Sequence, residues 1–205
     1  VRRACTSGKD GSDPAANSPH LRALHLEGHA LISQHRFTDA EKVLNSLVSK
    51  APNSFVPLFN LGVCQLNQAE KGVDKAIVNF EKARKIQPSH PGVPYNLGII
   101  HRFKGEEAAA LAEFKTALEL APRDSDCHYQ VAIGLLRTGQ QELALPHFEM
   151  AVQLDPTIRG AWNNLQLMWR RSGRIEEANK ALATFKALEK SGQGRAHSTK
   201  YTEQG

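Results

Sequence analysis

The sequence predicts an all-α fold, a solenoid of antiparallel helix pairs. Three observations carry this. Apolar residues recur at helical spacing, as in Ala110, Leu111, Phe114, Ala117 and Leu118. A pattern of small and large positions returns every 34 residues: Gly98, Ala110, Phe114, Ala117 and Pro122 reappear as Ala132, Ala144, Phe148, Ala151 and Pro156. Each of these units closes on a proline, which cannot continue a helix without losing a hydrogen bond. One amphipathic hairpin cannot bury its own apolar face, but stacked hairpins can, with small residues where two helices touch closely.

Taken in order, residues 1–20 are rich in Ser, Gly, Asp and Pro, lack any period, and are expected to be a flexible lead-in. Cys5 with its Ser/Gly/Asp tether resembles the start of a bacterial lipoprotein. Arg2 and Arg3, standing where small apolar residues would precede the cysteine, argue against lipid attachment. The first repeat, 21–53, carries Gly28, Ala40, Leu44, Leu47 and Pro52 and predicts helices over 20–34 and 37–50. The second, 54–90, carries Gly62, Ala76, Phe80, Ala83 and Pro88. Its first helix is expected over 54–68 and its second over 73–87, with two residues inserted in the turn between Gln68 and Asp74. The third, 91–124, predicts helices over 91–104 and 107–120, and the fourth, 125–158, over 125–138 and 141–154. The fifth, 159–192, carries Trp162, Leu165, Gly173, Ala178, Leu182 and Phe185, with helices over 159–172 and 175–189. Residues 193–205 form a polar tail or a linker to a further region.

The residues Pro94-Tyr-Asn-Leu-Gly98 with Ala110, Phe114, Ala117 and Pro122, and Trp162-Asn-Asn-Leu165 with Ala178, resemble the tetratricopeptide repeat family over about five-sixths of the chain. The resemblance implies a right-handed superhelix whose concave wall is lined by the first helix of each pair. Two positions of the first repeat depart from the family pattern. Glu27 replaces a large apolar residue and His35 replaces the turn glycine, as a more polar end repeat would. The segment Lys200-Tyr-Thr-Glu-Gln-Gly205 resembles the join to a downstream β-propeller-type region in some large bacterial proteins; the sequence does not name the compartment, and a soluble chain of a bacterial cytoplasm or periplasm is compatible with it.

On that wall the position two before the small residue is Asn60, Asn96, Gln130 and Asn164, a ladder of side-chain amides. Amides offer donor and acceptor together and suit a peptide backbone of any sequence. Beside them run Phe59, Tyr95, Tyr129 and Asn163, and one turn on Val63, Ile99, Ile133 and Leu167. Arg102, Arg137, Arg170 and Arg171 continue the rim. The expected function is a non-catalytic protein–protein interaction module that binds an extended peptide or partner segment in this groove, with an acidic residue at the arginine end. The same amides can instead cap or bridge neighbouring helices, and the tyrosines can be packing residues. The alternative function is a structural spacer or docking domain. Leu182, Phe185 and Leu188 form an edge with no covering helix in the sequence, as in an N-terminal piece of something longer or a site of association. In the chaperone-tail-binding subclass a terminal carboxylate is clamped by Lys, Asn, Asn, Lys and Arg. The matching positions here are His25, His29, Asn60, Gly92 and Asn96, of which only Asn60 agrees, so that ligand is disfavoured.

Other chemistries find little support. His25 and His29 share one helix face and can grip a metal, but the order His25-Leu-Glu-Gly-His29 is not that of a zinc protease and no third ligand stands nearby. They read as surface imidazoles, so no metal or cofactor is expected. There is no phosphate-binding glycine loop, nucleophile elbow or Cys-x-x-Cys, so the chain is expected not to be an enzyme. A net charge of +5 without interleaved aromatics and cations argues against nucleic acid. No apolar run is long enough to span a bilayer. The charge is unevenly spread: the fourth repeat is acidic, while the fifth has seven Lys or Arg between Arg159 and Lys190 against three Glu.

Overall fold

The computed structural model describes residues 18–68, 70–192 and 194. They form ten α-helices and, among the described residues, no β-strand. In order these are α1 Pro19–Ser33, α2 Phe37–Lys50, α3 Phe55–Leu66, α4 Glu70–Ile86, α5 Gly92–Phe103, α6 Glu107–Leu120, α7 Ser125–Arg137, α8 Gln141–Leu154, α9 Arg159–Arg171 and α10 Ile175–Ser191. Every boundary lies within three residues of the sequence expectation. The lead-in through residue 17 with Cys5, and the tail from 195 with its resemblance to a propeller join, lie outside the described residues.

The turns explain the pairing. Each pair is joined by three residues, and successive pairs by four or five. Four of the five short turns end their first helix with the same double bond. In the fourth pair Gly139 N donates to Leu136 O and Gln140 N to Leu135 O. The equivalent bonds recur from His35 and Arg36, Gly105 and Glu106, and Gly173 and Arg174. This termination needs one residue in the left-handed region. Gly105, Gly139 and Gly173 take it at φ 78° and His35 at φ 57°, so the histidine in the first turn carries the glycine's conformation. The second pair differs. Its extra residues do not enlarge the turn as expected but start α4 early, at Glu70. Gly72 allows this, since a Cβ there would fall 1.8 Å from the Gln65 carbonyl oxygen.

The chain divides into two compact units at residues 100 and 101, within α5. In the first unit α1 packs on α2, α2 on α3 and α3 on α4. One core gathers Leu31, Ile32, Ala40, Leu44, Leu47, Leu61 and Cys64; another gathers Phe55, Phe59, Val63, Ala76, Phe80, Ala83, Val93 and Leu97. The small and large repeat positions meet as their alignment requires: Gly28 faces Leu44 and Gly62 faces Phe80, each too close to admit a Cβ without a shift. In the second unit α6 packs on α7, α7 on α8, α8 on α9 and α9 on α10. Ala110, Phe114, Ala117, Ala144, Phe148, Ala151 and Ala178 are all buried there. Asp124 caps α7, its Oδ1 accepting from the backbone N–H groups of Asp126 and Cys127 at 2.9 and 3.1 Å.

Candidate functional site

In the first unit the expected groove residues lie inside. Phe59, Asn60, Val63, Tyr95 and Asn96 are buried, and Ile99 is half-buried. Phe59 stacks on Phe55 with ring centroids 5.6 Å apart and meets Phe80 edge-on at 5.6 Å and His90 at 5.1 Å. The aromatic residues expected to be exposed on this wall are therefore core residues: Phe59 is 1% and Tyr95 0% accessible. The Asn96 amide is also engaged locally. Asn96 Nδ2 donates to Gly92 O, one turn back on its own helix, at 2.8 Å.

The second unit is more open. Tyr129 and Gln130 are buried, but Arg102, Ile133, Asn163 and Asn164 are half-buried, and Arg137, Leu167, Arg170 and Arg171 are exposed. Arg102 lies with its guanidinium carbon 4.7 Å from the Phe114 ring centre, and its Nη2 donates to Gln130 Oε1 at 2.5 Å. Arg137 Nη1 donates to Glu107 Oε1 at 2.6 Å. Tyr129 packs edge-on against Phe148, and burial raises its phenol pKa, with Arg102 and Arg137 opposing the rise. Asn164 repeats the local bond, Nδ2 donating to Gly160 O at 2.8 Å. Its NH2 is thus turned to the helix and its oxygen is the atom left for another molecule.

On α9, Asn163 and Asn164, Leu167, and Arg170 and Arg171 recur at helical spacing along one stripe. Leu167 is 44% exposed. Arg174, on the next turn of chain, is occupied: it pairs with Glu149 at 3.5 Å and Glu177 at 3.0 Å and sits over Trp169. Arg170 and Arg171 make no ion pair among the described residues.

The second predicted surface is partly closed. Leu182, Phe185 and Leu188 are half-buried. The Arg159 guanidinium lies 5.9 Å from the Phe185 ring centre, and Gly194 returns to Leu188, donating its N–H to the Leu188 carbonyl at 3.4 Å. His25 and His29 are half-buried on α1, and among the described residues no group of three His, Cys, Asp or Glu gathers. Among those residues no helix is long and apolar enough to cross a membrane. The sequence reading missed a partly buried polar chain in the first unit. Asn79 Nδ2 donates to Gln65 Oε1, and Gln65 and Gln68 donate to the two oxygens of Glu41. The only signal for it was polar residues at otherwise apolar helical positions.

The tetratricopeptide repeat family model matches residues 95–158. No curated protein matches the sequence. Among solved structures the chain is similar to MamA 41-end from Desulfovibrio magneticus RS-1, with TM-score 0.71, 20% identity, 85% of this chain covered and 97% of that one. It is also similar to a crystal structure of MamA, with TM-score 0.68, 19% identity, and 80% and 95% covered. At this identity the likeness speaks for the fold. With the 34-residue period and the glycine-ended hairpin turns, residues 95–158 match the tetratricopeptide repeat model, and the fold of the chain is similar to that of tetratricopeptide-like helical solenoids.

Proposed function

We propose that the chain is a non-catalytic protein–protein interaction module that takes an extended peptide along the exposed stripe of α9. The observation that supports this reading is that stripe itself: an amide oxygen at Asn164, an apolar side chain at Leu167 and two exposed cations at Arg170 and Arg171, in one line. In this reading the buried amides Asn60, Asn96 and Gln130 serve the fold, and the ligand meets the wall only where the second unit opens. Asn164 accepts a ligand N–H rather than pairing with both sides of a peptide group. Leu167 takes an apolar side chain, and the arginines take an acidic residue or a carboxylate.

The test is a peptide array probed with the chain and with an Asn164→Ala, Leu167→Ala double variant of matched thermal midpoint. One neutral hydrogen bond and one partly exposed leucine contribute about 1 kcal/mol each, so the double variant should bind roughly tenfold or more weakly. Equal binding of the same peptides would sink the α9 stripe as the site. The half-covered edge at Leu182, Phe185 and Leu188 would then be the better candidate.

A further inference from the structure

His128 of α7 and His147 of α8 face each other across the fourth hairpin, with their Nδ1 atoms 3.1 Å apart. Their ring centres are 5.3 Å apart and tilted by 39°. His128 Nε2 lies 3.0 Å from the Pro122 carbonyl oxygen. A carbonyl only accepts, so Nε2 carries a hydrogen, and in the neutral ring the Nδ1 of His128 then carries a lone pair. The hydrogen shared between the two rings therefore belongs to Nδ1 of His147. This is how a metal-ligating imidazole is held: the ring nitrogen away from the ion donates to a backbone carbonyl, which fixes tautomer and orientation.

We propose that His128 and His147 form a binding site for one divalent late-transition ion of the Zn2+ class, held through the two Nδ1 atoms. With metal–nitrogen bonds of about 2.0–2.1 Å, nitrogens 3.1 Å apart subtend about 95–102° at the ion, between the square and tetrahedral angles. The ion takes the place of the shared proton, which His147 accepts at Nε2 through solvent, while His128 keeps its bond to Pro122. Both rings remain neutral, so no net proton is released. Among the charged side chains, Lys115 of α6 acts on His147. Lys115 also repels an added cation. Among the described residues no third protein ligand joins the pair, so water completes the shell and the ion is exchangeable.

The fold does not require these two rings. The equivalent positions are Pro94 and Glu113 in the third repeat and Trp162 and Ala181 in the fifth. The site is thus an addition to one hairpin of the array. His25 and His29 are the competing pair on this chain of nine histidines.

The experiment is a Zn2+ titration of the full chain, followed by nitrogen chemical shifts of the histidine rings and by calorimetry. The Nδ1 resonances of His128 and His147 should shift together, saturating at one equivalent, and His147 should change tautomer. His147→Gln should lower affinity at least about tenfold, since even loss of an outer partner of a ligating histidine costs that much. The His25→Gln, His29→Gln variant should leave the shifts at His128 and His147 unchanged. The proposal is overturned if those resonances stay fixed up to about a tenfold excess of Zn2+ over folded chain. Binding that survives in His147→Gln, or that vanishes in His25→Gln, His29→Gln, overturns it equally.

Discussion

His90 shows how one side chain ties packing to solution behaviour. Its ring sits 4.7 Å from Phe55 and 5.1 Å from Phe59, and its Nδ1 accepts the Gly92 N–H at 3.2 Å. Burial pulls its pKa from the ordinary 6.5 down to about 4. The sign follows from proton counting. Between pH 6.5 and about 4 the unfolded chain binds a proton at this ring and the native chain does not, so acid favours unfolding. The contribution is fully present above pH 6.5 and lost as pH falls through the folded pKa. A shift of this size is worth at most about 3 kcal/mol, less to the extent that water reaches the ring. Urea midpoints at pH 7.5 and pH 5 should therefore fall further for the native sequence than for His90→Gln, which does not titrate. An equal fall in both would mean that His90 is not the group responsible. His147, also depressed, acts in the same direction in both proteins and cancels in the comparison.

At the scale of the element, α8 carries a proline that its own rules disfavour. Pro146 lies inside Gln141–Leu154, exposed, on the side away from Ala144, Phe148 and Ala151. It removes a backbone donor in mid-helix and crowds the carbonyl four residues back, and the buried face holds the helix together regardless. Pro146→Ala should then stabilise the chain by about 2–3 kcal/mol, the usual interior difference between these residues. A urea midpoint that does not rise would show that the helix is bent to suit the proline. The helices themselves were legible because Ala144, Phe148 and Ala151 repeat a spacing already present in Ala110, Phe114 and Ala117. That small residues sit at close helix contacts was legible too: Gly28 and Gly62 share one repeat position, and they meet Leu44 and Phe80, which share another. What the period could not give was direction within a side chain. Asn96 and Asn164 share the expected register, yet both turn their NH2 groups to their own helix. Nor could it weigh exposure, which differs between Tyr95 and Asn163 at one register because the packed neighbours differ. The pairing of His128 with His147 spans 19 residues and matches no motif spacing; only reading across the hairpin turn brings them together.

Over the whole molecule the formal charge is +5, and its spread matters more than its size. The fifth repeat holds seven Lys or Arg against three Glu, but several of these are engaged. Arg159 pairs with Glu189 at 3.9 Å and Arg174 with Glu149 and Glu177. Arg170 and Arg171 are exposed and outside any such pair among the described residues, so they add positive field directly beside the α9 stripe. If an acidic peptide docks on the α9 stripe, those charges act mainly on encounter. Attraction between exposed charges is screened beyond about 8–10 Å at 0.1–0.15 M salt, so association should slow as salt rises while dissociation changes little. Arg170→Glu with Arg171→Glu subtracts two charges at each site and brings the chain to a formal +1. Stopped-flow association of an array-selected acidic peptide, between about 50 and 300 mM salt, should then lose its negative salt dependence and show the opposite slope. A variant that keeps the native slope would place the attraction elsewhere on the chain and remove the arginines from the binding surface.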